Sequence, residues 1–263
     1  PVEPPVVEPG SIYHPFEIAM QSGNQEEIDK INEVGKLKGI NFNFNDEGRI
    51  NLGSTKVDWD VLKKLKTGQK VLDHIRDYVP LDTREIIDRI APFVKHIPIR
   101  VSNATSGYEG VHWLRGRGEN ALHNIELFAK SNKGNSFETI THELIHGATV
   151  RNYFQGTDYN KHSGRMGDKR FAKASSELDE LANYLVDNHY KDVPFFSYYK
   201  KRGQTPAEFK SSIARELLSW GTTNRETQER LKQIKLPSGK SVWTKFVETL
   251  RNRCRSQLTK QTR

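Results

Sequence analysis

Between Ile97 and Asn152 the chain passes from three short apolar runs into one long helical pattern, and this succession constrains its fold more than any other feature. Ile97-Pro98-Ile99-Arg100-Val101, Val111-His112-Trp113-Leu114-Arg115 and Asn124-Ile125-Glu126-Leu127-Phe128-Ala129 are separated by Gly, Asn and Ser, as short strands are. Ser136 then stands where an N-cap belongs, ahead of a helix to about Asn152. Phe137, Thr141, Leu144 and Ala148 mark the buried face of that helix as an amphipathic one. Strands followed by helices, rather than alternating with them, suit an α+β domain. Further helices fit residues 168–189, 206–220 and 240–257.

The first part of the chain has a different texture. Residues 1–10 hold four prolines and two glutamates, and a Pro-rich linker is expected through residue 12. From 13 to 95 the pattern is mostly helical, with Ile28, Ile31 and Val34, then Val61, Leu62 and Leu65, then Val71, Leu72 and Ile75 at helical spacing. Residues 41–50 alternate apolar with polar around a turn signal and predict a small hairpin. Asp82-Thr83-Arg84-Glu85 predicts a capped helix through Phe93. None of these segments carries the residue types of a catalytic site. The chemistry-bearing region is expected at 96–250, followed by a basic tail at 251–263.

With 263 residues, 35 % of them hydrophobic, the chain is long enough to bury a core, as one domain with appendages or as two modest domains. No apolar run approaches the roughly 20 residues of a membrane helix. The opening Pro1-Val2-Glu3-Pro4-Pro5 has neither an initiating Met nor a signal peptide, so a processed product or a piece of a longer polypeptide is expected. The single cysteine, Cys254, excludes an internal disulfide framework and a cysteine-built zinc site. The net charge of +8 gathers partly in Arg251, Arg253, Arg255, Lys260 and Arg263, a solvated tail or a contact for nucleic acid.

The long helix contains His142-Glu143-Leu144-Ile145-His146. Residues four apart project from one side of a helix, so His142 and His146 can share a zinc ion at about 2 Å. Glu143 is rotated by about 100° and reaches a zinc-coordinated water as general base. It can then pass the proton to the leaving amine of a cleaved peptide.

The third ligand is open on spacing alone. A metzincin pattern would need glycine at Thr149 and histidine at Asn152, and the methionines, Met20 and Met166, offer no Met-turn. Gly156-Thr157-Asp158 approaches the aspartate-type zincin pattern, with the spacing off by one and the following Tyr-Gly missing. Two acidic helices remain: one with Glu177, Asp179 and Glu180, the other with Glu216.

Thr141-His142-Glu143-Leu144-Ile145-His146-Gly147-Ala148-Thr149-Val150 resembles the active-site helix of the gluzincin-like peptidase domains of phage and mobile-element polyproteins and bacterial toxins. Those domains read His-Glu-Leu-Val-His-Ala-Ala-Thr, then a Glu-Phe-x-Ala-Glu-Ala-x-Thr-Asn helix, a Phe-Gln and a Trp-x-x-Phe. Here Thr223-Asn224, Gln228 and Trp243-Thr244-Lys245-Phe246 follow in that order, over roughly residues 95–250. A more distant similarity is to the catalytic domain of anthrax lethal factor. The resemblance implies a zincin-like α+β fold with a small mixed sheet beside the active-site helix, zinc as cofactor and Glu216 as third ligand. It also implies a second glutamate supporting a zinc-bound histidine, where this chain has Trp220; either another acid such as Glu180 or Asp179 replaces it, or the site is weakened.

Such peptidases need a donor for the oxyanion. Tyr153, Tyr159, His162, Tyr198 and Tyr199 lie between the two ligand segments, and Tyr198 and Tyr199 are preferred. A protein substrate is expected as an extended strand along Val111–Leu114 or Asn124–Ala129, with Arg115 and Arg117 favouring acidic residues. The expected function is a zinc endopeptidase acting on a specific protein, in a secreted or delivered toxin or effector, or in a phage or mobile-element polyprotein. The alternative is an inactive zincin-shaped binding module, contacting nucleic acid through the basic C-terminal end.

Overall fold

A computed structural model describes residues 14–116, 122–193, 195–199 and 204–258, with side chains described through residue 250 except those of Ser197 and Tyr198. The Pro-rich linker, Arg117 and the tail beyond residue 258 lie outside the described residues, as do the side chains of Arg251, Arg253 and Arg255. The chain is mixed α/β and divides into two compact units, residues 1–115 with 122–147 and residues 116–121 with 148–263.

The first unit runs α1 (Pro15–Ser22), α2 (Gln25–Lys38), β1 (Ile40–Asn41), β2 (Lys56–Val57), α3 (Trp59–Leu65), α4 (Gly68–Ile75), a 3-10 turn (Arg76–Tyr78), α5 (Leu81–Val94), β3 (Ile99–Ser102), β4 (Gly110–Arg115) and β5 (Leu122–Phe128). It ends inside α6 (Phe137–Lys161), after Gly147. Two predicted details change. The 41–50 segment makes one bridge, Phe44 to Ile50, because the Asn45 side chain accepts the backbone N–H groups of Glu47 and Arg49 and closes a tight turn. The true strand partner of β1 is β2. Helix α5 begins a residue before Asp82, with Pro80 as N-cap and no side-chain cap, so the predicted Asp82 cap is not formed.

The larger sheet has the order β3-β5-β4. β3 is parallel to β5, with Ile99 opposite Ile125, and β4 is antiparallel, with His112 opposite Ile125 and Leu114 opposite His123. β5 is therefore the central strand. This corrects the expectation that Asn124–Ala129 offers a pairing edge, and leaves β4 at the rim.

The start of α6 is anchored through its backbone. Ser136 Oγ accepts the Thr139 N–H at 3.1 Å, Thr55 O accepts that of Phe137 and Leu52 O that of Glu138, each at 2.9 Å. First-turn donors that a helix leaves unpaired are thus satisfied by the loop ahead of β2. Gly147 lets the helix approach the sheet: a Cβ there would lie 2.7 Å from Ile97 Cδ1.

The second unit holds the rest of α6, then α7 (Lys169–Asn188), α8 (Phe196–Tyr199), α9 (Pro206–Thr223), α10 (Arg225–Gln233) and α11 (Val242–Leu258). Leu178, Leu185, Phe195, Phe196, Ile213, Leu217 and Phe246 build its core. α6 passes the predicted end at Asn152 because Gly156 does not break it. A Cβ at Gly156 would collide with Phe171 O and Ser175 Oγ, so this glycine gives α7 its close approach. Gly156-Thr157-Asp158 is consequently helical. Among the described residues no helix is long and apolar enough to cross a membrane.

Candidate metal centre

From Ser136 to Ala148 every residue except Glu138 is buried, so this part of α6 is enclosed on all sides rather than amphipathic as predicted. Three of the enclosed side chains are ionisable: His142, Glu143 and His146, at 6 %, 6 % and 7 % exposure. Burying such groups costs free energy unless they are paired or hold an ion, so their place in a helix otherwise filled by Phe137, Ile140, Leu144 and Ile145 requires polar partners or an ion.

The two imidazoles face each other. Their Nε2 atoms are 3.1 Å apart and their rings meet edge to face, with centroids 4.7 Å apart. Glu216 of α9, half-buried, joins them: one ligand atom from each of His142, His146 and Glu216 lies within 4.8 Å of the others. Two imidazole nitrogens and one carboxylate oxygen form a donor set suited to a divalent transition metal such as zinc, whose bonds to such atoms run about 2.0–2.2 Å.

The other acidic candidates are engaged elsewhere. Glu177 accepts from Lys245 Nζ at 3.0 Å as a partly buried ion pair. Glu180 is exposed and accepts from Ser176 Oγ. Asp179 accepts from the Tyr153 hydroxyl at 2.5 Å, and burial pushes its carboxyl above the usual range. Tyr153 also lies 3.3 Å from Ser211 Oγ, and burial, then the Asp179 charge, push its hydroxyl up. Asp158 is half-buried on the C-terminal part of α6 and is not in the three-residue group.

Tyr199 meets Trp220 rather than an open space. The Trp220 indole N–H donates to its hydroxyl at 3.1 Å, and the Trp220 ring stacks on Phe195 at 5.7 Å. An aromatic cluster therefore fills the position one turn after Glu216 where the resemblance implies a second glutamate. Tyr198 lies on α8 with its side chain outside the described residues, His162 is exposed and Tyr159 is half-buried against Gly164.

Sequence reasoning passed over a second histidine pair. His112 on β4 and His123 on β5 place Nε2 and Nδ1 3.1 Å apart, with ring centroids at 5.2 Å. Burial first, then the neighbouring His146 and His123 imidazoles, push His112 down to about 3. Gly110, two residues before His112 on the same face of β4, sits over Glu143: a Cβ there would lie 2.8 Å from Glu143 Cγ and 3.1 Å from Thr139 Cγ2. The signal was available. Alternation places His112 with Gly110, and His123 with the buried Ile125 and Leu127, on the faces the two strands turn inward.

Comparison with protein-family models, with curated proteins and with solved structures finds no match for this chain.

Proposed function

We propose that this chain is a zinc-dependent endopeptidase of zincin type, with His142, His146 and Glu216 as ligands and Glu143 as general base. One observation carries the reading: two imidazoles and a carboxylate converge within 4.8 Å, with a buried glutamate next in sequence to the first of them. Bound zinc would supply Lewis acidity and make water nucleophilic near neutral pH. Glu143 takes a proton as the water oxygen adds to the peptide carbonyl carbon, leaving negative charge on the carbonyl oxygen. When the carbon–nitrogen bond breaks, Glu143 returns that proton to the leaving amine.

The substrate on this reading is a protein segment in extended form. β4 is a rim strand of its sheet, and Gly110 brings its start directly over Glu143. A peptide strand added beside β4 through main-chain hydrogen bonds would present its carbonyls to that region. Exposed Arg115, at the far end of β4, favours acidic residues in the peptide. A secreted or delivered toxin or effector, or a phage or mobile-element polyprotein, is the setting proposed from the motif resemblance.

Elemental analysis of the purified chain tests the reading, together with digestion of a proteome-derived peptide library followed by mass spectrometry. Wild type should carry one zinc and cleave a defined sequence. His146→Ala should lose both properties, and Glu143→Ala should keep zinc and lose cleavage. The packing of Trp220 against Phe195 and Tyr199 favours a second reading, a zincin-shaped binding module without peptidase activity. Salt-dependent binding to nucleic acid with no cleavage in the library would select it.

A further inference from the structure

On the peptidase reading just given, we propose that His112 donates the hydrogen bond that stabilises the oxyanion, and that His123 is the positioning residue that fixes its tautomer. β4 is the strand along which a peptide would pair. On its inward face Gly110 covers Glu143, and strand alternation puts His112 next along that same face. A side chain there stands one strand repeat along from the glycine that covers the base.

The 3.1 Å bond to His123 gives the ring a direction. Neutral imidazole carries one N–H, and which nitrogen bears it follows from what the other one binds. On this assignment His123 Nδ1–H donates to His112 Nε2, which leaves the proton of His112 on Nδ1 to meet an oxygen that becomes negatively charged. Such a donor acts only as charge develops, the condition under which a hydrogen bond lowers a barrier rather than merely holding substrate. Tyr199 is packed into an aromatic cluster with Phe195 and Trp220.

Methylphosphonate, a small tetrahedral oxyanion, tests this without any knowledge of the natural peptide. Its affinity for the zinc-loaded chain is measured by calorimetry, and zinc content is measured on the same samples. His112→Ala should keep zinc and weaken methylphosphonate by roughly 10- to 100-fold, as expected for one hydrogen bond to a charged group. His112→Gln, which retains an N–H donor, should recover part of that loss, and His123→Ala should show an intermediate loss. Unchanged affinity in His112→Ala with zinc retained would overturn the assignment and leave the peptidase reading standing. Loss of zinc in His112→Ala and His112→Gln would also overturn it, making the ring a support of the metal site. A zinc-loaded wild type that binds no methylphosphonate overturns it as well. A wild type that takes up no zinc removes the peptidase reading itself.

Discussion

His142 and His146 hold their Nε2 atoms 3.1 Å apart across one turn of α6. With metal–nitrogen bonds of about 2.0–2.1 Å, that separation corresponds to an angle of roughly 100° at a shared ion, close to tetrahedral. On the proposed reading the helix would supply two of the ligands, and what surrounds it decides the rest.

The two candidate third ligands predict different phenotypes. Glu216→Ala should weaken zinc binding by more than about 100-fold, the upper range for residues that only support a ligand. Glu177→Ala should leave zinc content unchanged. It should instead destabilise the chain by about 1–3 kcal/mol, because Lys245, at 29 % side-chain exposure, loses its partner. Zinc titration and urea unfolding on the two variants separate these outcomes, and zinc loss in Glu177→Ala alone would exchange the roles.

Gly110→Ala should impair cleavage more than stability. The new methyl would lie 2.8 Å from Glu143 Cγ, which forces the base or the strand to shift. Overpacking of this kind costs about 1–3 kcal/mol, while a displacement near 1 Å at a catalytic group can lower a rate about 100-fold. Wild-type turnover of a library-derived peptide by the folded variant would contradict the placement of β4 over Glu143.

Ser136→Ala removes the side-chain acceptor at the start of α6 and should cost about 1 kcal/mol. Thermal unfolding should fall by roughly 2–4 °C if the transition spans the larger part of the chain. A variant as stable as wild type would mean that Thr55 O and Leu52 O hold the helix start unaided.

Much of the architecture was legible in local chemistry. Ser136 marks the helix start because few residues offer a short side-chain oxygen there, and the strand runs are bounded by their turn residues. Gly156 misled because a glycine in sequence does not declare whether it ends a helix or admits a neighbour; Phe171 and Ser175 decide that, and they arrive from another element. The order β3-β5-β4 was likewise hidden, since pairing depends on contacts far apart in the chain. At the site, the spacing of His142 and His146 was readable, whereas the His112–His123 bond exists only once two strands are in register.

Acid should loosen the first unit through His14, at the start of α1. Its Nδ1 accepts the Phe16 N–H at 3.1 Å, and its Nε2 lies 2.8 Å from Asp77 O. Burial lowers its pKa below the ordinary 6.5, against the raising effects of the Asp77 carbonyl and the Glu17 carboxylate. The folded chain therefore binds fewer protons at this site than the unfolded chain. The contribution is complete above pH about 6.5 and declines as pH falls toward the depressed folded value. Denaturant unfolding from pH 7.5 to 5 should show this decline in wild type and a shallower one in His14→Asn, which keeps a capping oxygen. Parallel slopes would contradict it.

The most direct measurement is an anomalous difference map at the zinc absorption edge, from crystals of the purified chain. The expected result is one peak about 2.0–2.2 Å from Nε2 of His142, Nε2 of His146 and a carboxylate oxygen of Glu216, with a coordination position open toward Glu143. A map with no peak there in zinc-supplemented crystals, or with a zinc held by other residues, would contradict the account.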